Sequence, residues 1–372
     1  MPRPQPIDEP SAGPRGDAEA GGVPEAVVLG MLRLMRLSRH LDEQMMRRQR
    51  QGKVGFYGAI TGQEAVPAAA AFASRPTDWV FPALRECAIL LGRGFPLATY
   101  LAQVYGSAAD VNKGRQMPSH MSSRAVNVVS WSSCIGPQLP QAVGMAMAAR
   151  RAGNDDIALA FLGDGATSTA SFHAAMTFAG VYRAPVVFVC QNNHWAISVP
   201  AHRQTAAPDF AVKGRGYGVP SARVDGNDAL ALFAALRDAL ERARGGAGPT
   251  FIEAVTYRIG AHSSSDDPSR YRSAEEVERW RARDPIARLE RHMRERGLLD
   301  DDASAAMDAE IAAEVREAIA QAERVGPPPV DSLVEDVYAA VPPHLEAQRD
   351  ALRARRPHPA GVDRRHPPSR RR

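Results

Sequence analysis

Short apolar runs and amphipathic stretches alternate along the central part of the chain. The stretches 168–180 and 228–246 repeat apolar residues at helical spacing, which predicts two helices. Buried strands are predicted where apolar runs are bounded by turn residues, at 157–163, 184–191, 222–226 and 249–259. Strands that alternate with helices are typical of a mostly parallel sheet, so we predict an α/β fold.

Helical patterns flank this alternation on both sides. The segment 112–137 is instead rich in Gly, Ser, Asn and Pro, and such a long irregular loop inside a compact chain is usually functional. We predict one α/β domain over 23–345, an unstructured arm over 1–22 and an unstructured basic Pro/Arg-rich tail over 346–372. The flanking helices are predicted at 23–51, 63–72, 83–94, 140–153, 274–282, 285–297 and 302–325.

The composition is that of a soluble globular protein, with 44% hydrophobic and 24% charged residues among 372. No apolar run approaches the roughly 20 residues that span a bilayer, so no membrane partner is expected. The three cysteines, Cys87, Cys134 and Cys190, match no metal or disulfide spacing, which favours a reduced cytoplasm. The net charge of +4 is concentrated in a tail whose residues from Ala351 include eight arginines. We interpret that tail as solvated and expect no nucleic-acid partner.

Two polar clusters follow consecutive predicted strands. Asp164 lies between Gly163 and Gly165 after one strand, and Asn193 follows the next strand. A right-handed crossover between neighbouring parallel strands would bring these ends together. Carboxylate and amide oxygens suit Mg²⁺, which also takes phosphate and water oxygens. Gly163 would admit a close approach of the backbone, and Gly165 would open the turn into the next helix, whose first N–H groups are available to an anion. Alone, Gly-Asp-Gly would be an ordinary loop, but both clusters together favour a Mg²⁺–diphosphate site.

Six segments in a fixed order resemble the α subunit of the E1 component of branched-chain 2-oxo acid dehydrogenases. The resemblance covers about 25–345 and implies the thiamine-diphosphate-binding fold, with helical N- and C-terminal extensions. The paired acids in "SSDDPSRYR" favour the branched-chain class, although pyruvate and acetoin relatives share the metal motif. The segments are "NKGRQMPSH", "PQAVGMA", "GDGATS", "VCQNNHWAIS", "RVDGND" and "TYRIGAHSSSDDPSRYRS".

This resemblance implies a role for each matching residue. Mg²⁺ would be held by Asp164, Asn193 and the carbonyl of Trp195, and the active-site histidines would be His262 and His120. Ser132 and Gln138 match a potassium site, in which Pro137 replaces a threonine. Thiamine diphosphate would be bound by Arg85, Ser133, Ile135, Gly163, Asp164, Gly165, Ala166, Gln191, Asn193, Ile197 and His262.

The chain departs from the family pattern near this predicted site. Leu84 replaces a tyrosine, Gln191 an arginine and Ala261 a histidine, and "STAS" at 168–171 replaces a more acidic run. Ser263 matches a position that is phosphorylated in animal relatives, but we interpret it as an exposed, unmodified loop serine. These departures leave every metal ligand in place, so they bear on diphosphate affinity and substrate preference.

The implied reaction is oxidative decarboxylation of a branched-chain 2-oxo acid, with acyl transfer to the lipoyl group of an E2 acyltransferase. The resemblance also implies a separate E1 β subunit, which supplies a glutamate to the cofactor, in an α2β2 heterotetramer. Length supports this, because one diphosphate-binding domain with its helical flanks uses most of the chain. Two alternatives remain: a catalytically silent scaffold homologue, and a Mg²⁺-dependent phosphate hydrolase or nucleotide binder.

Overall fold

A parallel sheet forms the centre of the protein in a computed structural model that describes residues 22–335 and 337–355. The sheet has five strands in the order β1-β2-β3-β7-β6, which confirms the predicted α/β fold. β4 and β5 form a separate antiparallel ribbon just after β3. The strands are β1 Trp79–Phe81, β2 Ala158–Gly163, β3 Val186–Asn192, β4 Trp195–Ala196, β5 Val199–Pro200, β6 Ser221–Asp225 and β7 Thr250–Val255.

Five of the helices begin at a short polar side chain that caps their free N–H groups. Thr169, Asp228, Ser273, Asp284 and Asp300 each accept a hydrogen bond from the first turn of the helix that follows. The helices are α1 Glu25–Arg50, α2 Ala65–Ala73, α3 Cys87–Gly92, α4 Leu97–Tyr105, α5 Gln138–Arg151, α6 Ala170–Tyr182, α7 Ala211–Arg215, α8 Ala229–Arg244, α9 Ala274–Arg281, α10 Pro285–Glu295, α11 Asp301–Arg324 and α12 Pro343–Ala354.

Both faces of the sheet are covered, which explains why β2 and β3 are continuously apolar. Leu159 and Val187 belong to the core shared with α1, α2 and α8, whereas Ala160 and Phe188 pack with α5 and α6 on the opposite face. With both faces filled, the carboxyl edge of the sheet is where polar residues can gather. No helix among the described residues has the length and apolar character required to cross a bilayer.

Several local predictions differ from the structure. The sequence pattern missed β1, β4, β5, α4 and α7, none of which is longer than nine residues. The helix predicted over 83–94 is limited to α3, and the strand predicted over 249–259 ends with β7 at Val255. α6 begins at Ala170 rather than 168, because residues 164–168 form a 3₁₀ turn first. Residues 343–354 form α12, where an unstructured tail was predicted from 346. This helix buries no side chain and is tied to the preceding turn by the Arg353–Asp331 ion pair. The predicted arm up to residue 21 and the tail from 356 lie outside the described residues.

Candidate active site

The ends of β2 and β3 lie side by side in the sheet. Gly163 is in register with Gln191, so Asp164 and Asn193 both project just beyond this edge. The backbone of Asn193 is close enough to the Asp164 carboxylate to lower its pKa. The structure therefore brings together the two polar clusters that the crossover argument predicts to be neighbours.

Asp164 is almost completely buried at this edge. The Nε2 group of Gln204 donates to its Oδ2 at 2.5 Å, and Thr167 donates its hydroxyl to the Asp164 carbonyl at 2.8 Å. Burial nevertheless raises the pKa of Asp164 to about 6, although hydrogen bonds and the charge of Arg258 act to lower it. A bound cation would favour the ionised carboxylate, so the site is suited to one.

The two glycines around Asp164 have different roles. A Cβ atom on Gly165 would lie 2.7 Å from the Cβ of Ala196, so only glycine lets the turn pack against β4. A Cβ on Gly163 would meet nothing within 4 Å. Gly165 lies in the turn that leads into the next helix, as predicted: residues 164–168 form a 3₁₀ turn, and α6 starts at Ala170 with Thr169 as its cap.

The side chain of Asn193 is held on both of its amide atoms. The Trp195 N–H donates to Oδ1 at 3.1 Å, and Nδ2 donates to Oε1 of Gln63 at 2.9 Å. The carbonyl of Trp195 lies 3.4 Å from Nη1 of Arg258. The predicted cation ligands are thus held by three residues that the sequence analysis did not name, Gln63, Gln204 and Arg258.

A cavity of about 580 Å³ opens at this edge, within the usual size range of small-molecule sites. Ser133 is part of the cavity wall, whereas His120 is not. The Nε2 atom of His120 lies 2.5 Å from Oγ of Ser133. The wall also includes Gln63, Glu86 and Met117, which no prediction named, and Leu84, which replaces the tyrosine of the resembled family. The predicted residues that line the cavity are Arg85, Ser133, Ile135, Gly163, Asp164, Gly165, Ala166, Gln191, Asn193, Trp195, Ile197 and His262.

Arg85 is buried in the cavity wall, with the charges of Asp42 and Glu86 nearby. Its guanidinium donates to the carbonyl of Ala59 and, at 3.0 Å, to the carbonyl of His262. The carboxylate of Glu86 accepts the N–H groups of Ala83 and Arg85, which fixes the turn before α3. Burial and the nearby Arg258 charge lower the pKa of Arg85 to about 10, so it is a cation at neutral pH.

Arg258 places a second buried guanidinium in the same region. Its Nη2 donates to the carbonyl of Ile197 at 2.7 Å and to the hydroxyl of Tyr271 at 2.8 Å. Burial, together with the charges of Arg85 and Arg258, lowers the pKa of His262 to about 4, so this imidazole is neutral at pH 7. The clustered positive charge suits an anionic ligand.

A buried carboxylate on α1 supports the arginine side of the cavity. Asp42 accepts hydrogen bonds from the hydroxyl of Tyr57 and from the N–H groups of Ile60 and Thr61, at 2.7 to 3.0 Å. These bonds hold the loop whose Ala59 carbonyl contacts Arg85. The available signal in the sequence was an aspartate that interrupts the apolar face of a long helix, but its partners are 15 to 19 residues away.

Ser263 is only 8% exposed, so the prediction of an exposed loop serine is wrong. Its Oγ lies 3.1 Å from Oγ of Ser265.

The residues of the predicted potassium site bind neighbouring parts of the chain. Gln138 donates its amide to the carbonyl of Phe161 at 2.9 Å, and Ser132 accepts the N–H of Cys134. These bonds brace the loop before α5, and the potassium ion stays a prediction.

The donors and charges of the cavity fit a diphosphate that carries a cation. The Nε2 atoms of Gln63 and Gln191 are buried and have no hydrogen-bond partner in the described part of the chain. Such buried donors are uncommon, and an acceptor-rich anion would satisfy them. The described residues contain no group of three or more His, Cys, Asp and Glu side chains that could hold a metal alone. A cation at Asp164 would thus need oxygens from its ligand, as Mg²⁺ commonly does.

Comparison with known proteins places this geometry in context. The model of the family "Dehydrogenase E1 component" matches residues 32–331. The 3-methyl-2-oxobutanoate dehydrogenase subunit alpha of Mycobacterium tuberculosis (strain ATCC 25618 / H37Rv) is 43% identical over 335 residues, 89% of this chain and 88% of that relative. The mitochondrial 2-oxoisovalerate dehydrogenase subunit alpha is 41% identical in Bos taurus and 40% in Homo sapiens; each match covers 89% of this chain and 73% or 74% of the relative.

Proposed function

The chain belongs to the dehydrogenase E1 component family, and on that premise we propose that it works as the α subunit of a branched-chain 2-oxo acid dehydrogenase. Its substrate class is that of 3-methyl-2-oxobutanoate, with the acyl group passed to the lipoyl group of an E2 acyltransferase. The observation that supports this best is a cavity in which Asp164 and Asn193 share a wall with Arg85 and His262. Pyruvate and acetoin are the alternative substrates.

Membership of the family implies thiamine diphosphate, which supplies the carbanion chemistry of decarboxylation when it is bound. We propose that Asp164, Asn193 and the carbonyl of Trp195 would hold its Mg²⁺. Arg85 would pair with the diphosphate, because a guanidinium fork matches phosphate oxygens. The unpartnered amide of Gln191 would add a neutral donor at the position where relatives were expected to carry an arginine.

The contacts of His262 define which of its nitrogens carries the proton. Its Nδ1 lies 3.3 Å from Nη2 of Arg85 and 3.4 Å from Nη1 of Arg258. Guanidinium nitrogens can only donate, so Nδ1 accepts and the proton of the neutral ring is on Nε2. His262 is therefore available as a hydrogen-bond donor in the cavity. His120, beside Ser133, would position the loop that lines the opposite part of the wall.

Exposed apolar side chains at the cavity support a partner that covers it. Met117, Ile135 and Ile197 line the cavity and are 52%, 62% and 53% exposed. We propose that an E1 β subunit buries them in an α2β2 heterotetramer, since exposed apolar groups around a pocket commonly mark an interface. The three cysteines are free, which agrees with the proposed cytoplasmic location.

The test is co-expression with an E1 β subunit, followed by measurement of decarboxylation with thiamine diphosphate and Mg²⁺. We expect the complex to prefer 3-methyl-2-oxobutanoate to pyruvate and acetoin, and the α subunit alone to be inactive. Equal or faster turnover of pyruvate would contradict the branched-chain assignment. If calorimetry detects no binding of thiamine diphosphate and Mg²⁺ to the complex, the catalytically silent scaffold would be favoured. Phosphate release without dependence on thiamine diphosphate would favour the hydrolase.

A further inference from the structure

The orientation of the Asn193 amide depends on a residue from a distant part of the chain. We infer that Gln63 is a positioning residue, which accepts the Nδ2 hydrogen of Asn193 and so keeps Oδ1 available to a cation. The identity of that cation site rests on the proposed function. The inference itself rests on the direction of a buried chain of hydrogen bonds.

A backbone N–H determines this direction. The N–H of Trp195 can only donate, and it lies 3.1 Å from the atom of Asn193 that must therefore be the oxygen Oδ1. Nδ2 of Asn193 then donates to Gln63 at 2.9 Å, which requires the oxygen Oε1 at that position. Reversing either amide would bring two donors into contact, so both orientations are defined.

This series of hydrogen bonds also explains why Nε2 of Gln63 is an unpartnered donor in the cavity wall. Gln63 is fully buried, and once its oxygen has accepted from Asn193, its Nε2 has no partner within the described residues. An amide oxygen has two acceptor positions, so Oδ1 of Asn193 keeps one after accepting the Trp195 N–H. Without the acceptor on Gln63, Nδ2 would be buried without a partner, and rotamers that turn it away would become favourable.

The loop that carries Gln63 is rigidly held. Asp42 accepts N–H groups from Ile60 and Thr61, and Glu64 accepts the N–H of Gly62 at 2.9 Å. A Cβ on Gly62 would lie 2.5 Å from the carbonyl of Tyr257, and its φ of +93° also favours glycine. The loop is thus locked against the segment that follows β7, which delivers Gln63 to Asn193 in one position.

The test compares two substitutions in the co-expressed α–β complex, with Mn²⁺ in place of Mg²⁺. Gln63→Leu removes the acceptor, whereas Gln63→Glu keeps an oxygen at the same reach. Gln321→Leu on the exposed face of α11 is the matched control. Free Mn²⁺ is followed by electron paramagnetic resonance in the presence of thiamine diphosphate. We expect a loss of about 10- to 100-fold in Mn²⁺ affinity for Gln63→Leu, as for other residues that orient metal ligands.

The Gln63→Glu variant distinguishes a positioning role of Gln63 from a role in packing alone. We expect Gln63→Glu to bind Mn²⁺ within about 3-fold of the wild type, since the remaining oxygen still accepts from Asn193. If the wild-type complex binds Mn²⁺, two results would overturn the inference: equal losses of Mn²⁺ affinity in Gln63→Leu and Gln63→Glu, or wild-type Mn²⁺ affinity in Gln63→Leu. A wild-type complex that binds no Mn²⁺ with thiamine diphosphate would refute the proposed function, and this inference with it.

Discussion

The two sides of the cavity are built in different ways. On the strand-end side, Asp164 and Asn193 follow β2 and β3 directly, so the register of the sheet sets their separation. On the arginine side, Arg85, Arg258 and His262 come from loops that hydrogen bonds hold together. Rigid elements position a site more reliably than loops do, so the arginine side needs buried support from Asp42 and other carboxylates.

The electrostatics of the two sides are opposite and complementary. Burial raises the pKa of Asp164, and burial beside like charges lowers the pKa of Arg85 and of His262. The opposite charges nearby, Arg258 for Asp164 and Asp42 and Glu86 for Arg85, do not offset these shifts. A diphosphate that carries a divalent cation would supply both counter-charges at once, which single ions of either sign would not.

The largest expected effect is on the strand-end side. Asp164→Ala should lower Mn²⁺ affinity in the α–β complex by more than about 100-fold, because it removes the only carboxylate among the proposed ligands. The thermal stability of the metal-free complex should not fall, because burial of a carboxylate costs free energy and the substitution removes that cost. Asp238→Ala on the exposed face of α8 is the control. Near-normal Mn²⁺ affinity in Asp164→Ala would show that the cation site lies elsewhere.

An intermediate effect is expected from Arg85. Arg85→Met should weaken thiamine diphosphate binding by about 2 to 3 kcal/mol, the usual contribution of a charge-assisted hydrogen bond. Arg85→Lys should recover only part of this, because an ammonium group cannot form the paired contacts of a guanidinium. Calorimetry of the complex at fixed Mg²⁺ measures both. Full recovery with lysine would indicate that charge alone matters on the arginine side.

The last expected effect comes from Asp42, and it concerns the pH dependence of stability rather than ligand binding. Burial raises the Asp42 pKa to about 7, so the folded protein keeps this proton while the unfolded chain loses it near pH 4. Folded stability should therefore decrease as the pH rises through this window, by up to about 1.4 kcal/mol per pH unit for this group. Asp42→Asn should flatten the dependence of the melting temperature between pH 5 and 7.

The comparison for this variant is Asp238→Asn, which should retain the wild-type pH dependence. The flattening should be partial, because burial also raises the pKa of Glu86 to about 7 and of Asp164 to about 6. An unchanged slope in Asp42→Asn would mean that Asp42 is already ionised in the folded protein at pH 5. The support of the arginine side would then be an ionic contact rather than a neutral one.

The apolar pattern of the sequence and the handedness of the strand crossover were enough to predict the strand-end side of the cavity. The apolar runs of β2 and β3 indicate buried parallel strands, and the handedness of the crossover predicts that Asp164 lies beside Asn193. The motif resemblance extended this to Arg85 and His262, which do line the same cavity. Short elements such as β1 were missed because three residues carry too little periodicity to detect.

What the sequence alone determined about this protein is therefore the parallel sheet and the pairing of polar residues at its edge, since periodicity and chain connectivity act over short distances. Tertiary structure alone decided the contact of Gln63 with Asn193, the support of the Ala59 loop by Asp42 and the burial of Ser263. The physical reason is that a buried polar group is satisfied by whichever partner the folded chain brings within about 3 Å, and sequence spacing does not encode that partner.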